Sequence, residues 1–193
     1  MSTALVKLWT WDAYLAWESQ QERRHELVDG QVYAMVGGSM GHDLIANNLR
    51  RELGRQLQGQ PCRPHGPDMK VATGTGNARY PDALIDCGRF LPDAQTAQDP
   101  VAVFEVLSKS TAWIDQNLKL RDYDATVTIK YYALIAQDEP RVLLYTRGED
   151  GRIDLQGAEL RTELAESVHV PAAGVHLPLT ALYEGMLFGT PGG

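Results

Sequence analysis

The 193 residues carry 18 Lys and Arg against 25 Asp and Glu, a formal net charge of -7, with 44% hydrophobic and 22% charged residues. This is the balance of a globular chain, and the acidic excess argues against broad, non-specific adhesion to nucleic acid, which needs clustered Lys and Arg. No apolar run approaches the roughly 20 residues that cross a bilayer, and the start lacks a basic stretch followed by an apolar one. A cytoplasmic protein of one domain, with no membrane partner, is therefore expected. Cys62 and Cys87 have neither a metal-ligand spacing nor a disulfide-rich pattern around them, so reduced, structural thiols are expected.

Thr10 is a suitable cap for a first helix, with Asp12 in its first turn and Trp11, Tyr14, Leu15 and Glu18 at helical spacing. The polar run from Ser19 to Arg24 ends it. Asp29-Gly30 lies between two apolar segments, His25 to Val28 and Gln31 to Val36, and is a strong hairpin signal. Gly37-Gly38 breaks the second strand. Ser39 then caps a second helix whose stripe is Leu44, Ile45, Leu49 and Leu53. A strand is expected near Asp68-Met69-Lys70-Val71-Ala72, with Asp68 and Lys70 on one face and Met69 and Val71 on the other. Gly74 to Asn77 turns into a strand after Asp82, and a polar loop from Arg89 to Pro100 leads to a strand holding Glu105. Ser108 to Thr111 supplies capping hydroxyls for a helix to about Tyr123. Strands at Tyr131 to Ile135 and Val142 to Tyr145, a few short strands and a last helical turn complete the chain. The order predicts a mixed α/β arrangement, helices covering a central sheet.

Two carboxylates break the pattern of their strands. In Val101 to Leu107, period-two alternation puts Glu105 on the same face as Val103 and Leu107, near the end of an apolar run. Asp82 follows Pro81, which delays the start of its strand. A carboxylate in a core strand is costly unless it is paired or binds a cation, and two on successive strands can converge on one. Oxygen donors of this kind suit Mg²⁺ or Mn²⁺. The competing reading of each acid is a strand-end carboxylate touching only solvent or a backbone amide.

Pro81-Asp82 followed by Glu105 on the next strand resembles the PD-(D/E)XK superfamily, the restriction-endonuclease-like fold. His25-Glu26-Leu27-Val28-Asp29-Gly30, Ser39-Met40-Gly41-His42, Tyr80-Pro81-Asp82, Phe104 to Thr111 and Leu177-Pro178-Leu179 resemble, more closely, the Uma-type family of bacterial endonucleases. The likeness covers nearly the whole chain. It implies a core ordered α-β-β-β-α-β spanning 37–147, an N-terminal helix and hairpin over 1–36, and C-terminal strands and tail over 148–193. It also implies a Mg²⁺-dependent enzyme hydrolysing DNA phosphodiesters, commonly as a homodimer, with Asp82 and Glu105 as metal ligands.

The superfamily pattern wants Lys two residues after the Glu, and Leu107 stands there. Lys119, which shares a helix face with Asp115, is the candidate for a lysine moved from strand to helix, with Lys70 in reserve beside Asp68. A plain surface ion pair between Asp115 and Lys119 is the alternative. Glu26 is a candidate third acid or a solvent-facing one, and His42 a candidate auxiliary or a packing histidine. His65, His169 and His176 show no ligand spacing, and Trp9, Trp11 and Trp17 read as core or interface aromatics. Two other classes compete. A nuclease fold without its lysine can persist as a binding or scaffold protein. Gly37-Gly38-Ser39-Met40-Gly41 also matches G-x-S-x-G, a serine-hydrolase elbow for which His169 or His176 would be the base.

Overall fold

The computed structural model describes residues 8–107 and 112–188, the side chains of 112–116 apart. Helix α1 (Trp11–Glu18) begins at Thr10, whose hydroxyl accepts from the Ala13 amide at 3.3 Å. Strands β1 (His25–Val28) and β2 (Gln31–Ala34) are joined by Asp29 and Gly30, at φ of 48° and 77°, the paired positive angles of the tightest hairpin turn. Helix α2 (Met40–Gln56) starts at Ser39, which accepts from the His42 amide, and buries Ile45, Leu49 and Leu53 completely. Then come β3 (Arg63–His65), β4 (Val71–Ala72), β5 (Ala78–Arg79), β6 (Ala83–Asp86) and β7 (Pro100–Leu107). Helix α3 (Ala112–Asp124) crosses to β8 (Tyr131–Ala136), followed by β9 (Val142–Thr146) and β10 (Glu159–Arg161). The hairpin β11 (Ser167–Val170) and β12 (Val175–Pro178) leads into the single turn of α4 (Leu179–Leu182).

Six strands form the central sheet in the order β10-β9-β8-β7-β6-β3. Only β7 and β8 run parallel, as a strand pair joined through a helix must. On one face Ala102, Phe104 and Val106 pack with Ile45 and Leu49 of α2 and with Val168, Val170, Val175 and Leu177 of the C-terminal hairpin. On the other, Leu84, Val103, Tyr132 and Leu134 pack with Tyr123 of α3. The order helix, strands, helix, strand around a mixed sheet is the one expected.

The strand near Asp68 departs from expectation. Only Val71 and Ala72 are extended there, and they pair with β5 in a second sheet ordered β2-β1-β5-β4. The edge position beside β6 goes instead to β3, whose Pro64 makes a weak strand signal but is tolerated at an edge. Asp68 and Lys70 part company as well. Asp68 is exposed and pairs with Arg24, whereas Lys70 is 1% exposed, 3.2 Å from the equally buried Glu18 and beneath the rings of Tyr14 and Tyr80. That pair ties α1 to the sheet, and removing one partner of such a buried pair typically costs about 3–5 kcal/mol.

The expectation of free thiols is also corrected. Cys62 and Cys87 are joined in a disulfide. The antiparallel register Arg63↔Asp86, continued by one step, sets them face to face across β3 and β6, a neighbourhood their separation of 25 residues conceals. Among the described residues no helix is long and apolar enough to cross a membrane.

The exit of α3 is held by two loops and by β5. Arg147 donates to the carbonyls of Tyr123, Thr126 and Ile129. Asp122 accepts from Thr75, Asn77 and Arg79. The Gly74 amide donates to the Thr126 hydroxyl, and a Cβ at Gly74 would lie 1.9 Å from the Ala125 carbonyl oxygen, so only glycine fits.

Candidate active site

The ladder of β6 with β7 ends at Ala83↔Phe104, and Asp82, just outside it, lies beside β7 at Val106, the residue after Glu105. Glu105 points to the α3 side with Val103 and Leu107, and is 5% exposed. Burial pushes its carboxyl up to about 7, against the pull of Lys119, and the negative charge of Asp82 pushes it further the same way. The charge of Asp82 thus reaches Glu105.

Lys119 Nζ donates to Glu105 Oε2 at 2.9 Å, and Tyr123 donates its hydroxyl to Oε1 at 2.8 Å. Lys119 and Tyr123 lie four residues apart, on one face of α3. Tyr123 is fully buried, and burial first, then the charge of Glu105, holds its phenol well above the ordinary range. The sequence reading missed it; its one signal was the spacing from Lys119. Leu107, where the superfamily pattern wants lysine, packs against the apolar cluster on the α3 side. Its place beside the glutamate is filled from the helix.

Asp82 stands one residue before β6, at the mouth of the strand. Its Oδ2 accepts from the Val106 amide at 2.7 Å and lies 3.2 Å from His42 Nε2. The hydrogen bond to Asp82 raises the His42 pKa, overcoming the opposing effect of burial. His42 reaches this position because Ser39 caps α2 and puts residue 42 in its first turn. Two turns on, Arg50 donates to the Asp82 carbonyl at 3.3 Å.

Glu26 lies close enough for its charge to raise the Glu105 carboxyl, but both its oxygens are engaged. Arg79 donates to one at 2.8 Å and the Tyr80 amide to the other at 3.1 Å. Arg79 is 2% exposed and also holds Asp122 at 2.7 Å, so it links the β1 acid to α3. Lys70 and Asp68 are engaged elsewhere, with Glu18 and Arg24, and do not join the cluster. The side chain of Asp115 lies outside the described residues. Ser39 spends its hydroxyl on the His42 amide and on Gln137, and among the described residues no hydrogen bond joins it to an imidazole ring.

As a cation site, the cluster offers the oxygens of Asp82 and Glu105. Two carboxylates are a usual protein contribution to Mg²⁺, and a cation beside them would offset the burial of the Glu105 charge and, in smaller part, its repulsion by Asp82. Among the described residues no group of three or more His, Cys, Asp and Glu side chains is arranged to hold a metal. The donor set fits a hard divalent ion with two protein ligands.

The fold has a counterpart among solved structures, and the sequence has relatives. A protein of Anabaena variabilis, described as a "putative nuclease belonging to DUF820", superposes with a TM-score of 0.73 at 18% identity, over 92% of this chain and 99% of that one. The uncharacterised protein slr1290 of Synechocystis sp. is 30% identical over 179 residues, 92% of each chain. A second Synechocystis protein, sll1609, is 29% identical over 154 residues, 78% of this chain and 87% of its own. The model of the Uma2 family, described as "Putative restriction endonuclease", matches residues 11–180, a span that takes in every member of the cluster and both sheets. The chain therefore belongs to the Uma2 family.

Proposed function

We propose that the protein is a Mg²⁺- or Mn²⁺-dependent endonuclease that hydrolyses phosphodiester bonds in DNA, working as a homodimer. One observation carries the reading: the Val106 amide holds Asp82 beside the strand that carries Glu105, and a lysine ammonium stands 2.9 Å from Glu105. Asp82 and Glu105 would hold the ion, which supplies Lewis-acid polarisation of the phosphate and activation of a water. Asp82 is aimed by the Val106 amide and His42, and Glu105 by Tyr123, so neither carboxylate must reorganise. Lys119 offsets negative charge that develops on the phosphate oxygens. Arg50, against the Asp82 backbone, is a contact for the nucleic-acid backbone. Glu26 acts at one remove, holding the Tyr80 amide and thus the entry to β6.

The scaffold reading rests on Leu107. With Lys119 beside Glu105, the cation that reading counts as lost has a replacement, and catalysis is the reading we adopt. The test is supercoiled plasmid incubated with protein and Mg²⁺ or Mn²⁺. Nicking or linearisation is expected from the wild type, and Asp82→Asn should abolish it while leaving DNA binding in place. Intact plasmid with every metal, or cleavage by the variant at wild-type rate, overturns the proposal.

A further inference from the structure

Seven residues separate His169 from His176, a spacing that suggests nothing along the chain. The hairpin closes it. Its register pairs His169 with His176 across β11 and β12. The Leu179 amide donates to the Glu166 carbonyl, so the alternation of an antiparallel ladder makes 168/177 and 170/175 the hydrogen-bonded pairs. His169 and His176 are then a non-hydrogen-bonded pair, the kind whose side chains approach most closely. Val168, Val170, Val175 and Leu177 are buried in the core, which turns both imidazoles outward, where they are exposed.

The rings meet at 80° with centroids 4.2 Å apart, and their Nδ1 atoms are 3.2 Å apart. Imidazole nitrogens bind Zn²⁺ at about 2.0–2.1 Å, and two such bonds spanning this gap enclose an angle of about 100°, between tetrahedral and square-planar values. The backbone is held for the purpose. The His176 amide donates to Gln56 Oε1 at 2.8 Å and its carbonyl accepts from Gln56 Nε2, which fixes β12 to α2.

We propose that His169 and His176 form a two-histidine site for a borderline transition-metal ion, Zn²⁺, Ni²⁺ or Cu²⁺, on the outer face of the C-terminal hairpin. Nitrogen donors separate it from the Asp82–Glu105 pair, whose oxygens favour Mg²⁺ and Mn²⁺. Water completes the coordination, and the bound ion cross-links the two strands.

The test is a titration of tag-free protein with Cu²⁺ in excess Mg²⁺, read by calorimetry and by electron paramagnetic resonance. One equivalent with hyperfine splitting from two nitrogens is expected. His169→Asn and His176→Asn should each weaken that binding at least tenfold, and Asp82→Asn should leave it intact. Both histidines are exposed, so metal-free melting temperatures of the variants should match the wild type. Equal binding by the wild type and both histidine variants, or loss of the signal in Asp82→Asn, overturns the proposal. Neither result bears on DNA cleavage, which is read separately.

Discussion

Glu105→Gln keeps the shape of the buried carboxyl and removes its charge. In the folded chain burial lifts this group from 4.5 to about 7, so between those values the folded state binds a proton that the unfolded state has released. Stability therefore falls as pH rises through that window, and above it the full cost is present, about 3 kcal/mol. The amide has no such cost. It still accepts from Tyr123, but it weakens the contact with Lys119, a loss of about 1–2 kcal/mol that depends little on pH above the window. The variant should gain on the wild type by about 2 kcal/mol between about pH 5 and pH 8. At the upper pH it should be the more stable of the two, although inactive. Urea denaturation of both proteins at the two pH values measures this directly. A stability difference that stays constant with pH, or shifts towards the wild type as pH rises, refutes the claim that the fold holds Glu105 at a cost.

Lys119→Met should lower plasmid cleavage by about a hundredfold or more with DNA binding retained, as loss of a transition-state charge partner does; gel assays of cleavage and binding separate the two. Arg79→Met leaves the partly buried Glu26 and the fully buried Asp122 without their shared cation, and should cost about 3–5 kcal/mol in thermal denaturation. Reduction of the Cys62–Cys87 bond opens a loop of 25 residues and should cost about 3 kcal/mol, measured as a drop in melting temperature with added dithiothreitol.

The readable parts of the fold were those that local chemistry decides. Asp29-Gly30 announces its turn because few residues tolerate its backbone angles, and Thr10 and Ser39 announce their helices because hydroxyls satisfy the first free amides. Asp82 and Glu105 were legible as candidates because one acid stands at the mouth of an apolar strand and the other inside one. What stayed hidden depends on partners distant in sequence. Lys70 reads as a strand-face cation until Glu18, 52 residues away, takes it into the core. Arg79 gives no sign that it bridges Glu26 and Asp122, and Tyr123 looks like any core aromatic at the end of a helix. Cys62 with Cys87, and His169 with His176, become neighbours only once strand register is known. Pro64 concealed β3 for a local reason, because a missing amide weakens a strand signal everywhere except at an edge.

A lysine on β7 would be as immobile as the glutamate beside it. Lys119 belongs to a different body, a helix whose far end is seated by the glycine turn at residue 74, by Arg79 and by Arg147. The distance between ammonium and carboxylate is thus adjustable from outside the cluster around Glu105. Substitutions in those seats, none of them beside Glu105, become a means by which evolution or an engineer can shift Lys119 against Glu105 while leaving both acids untouched.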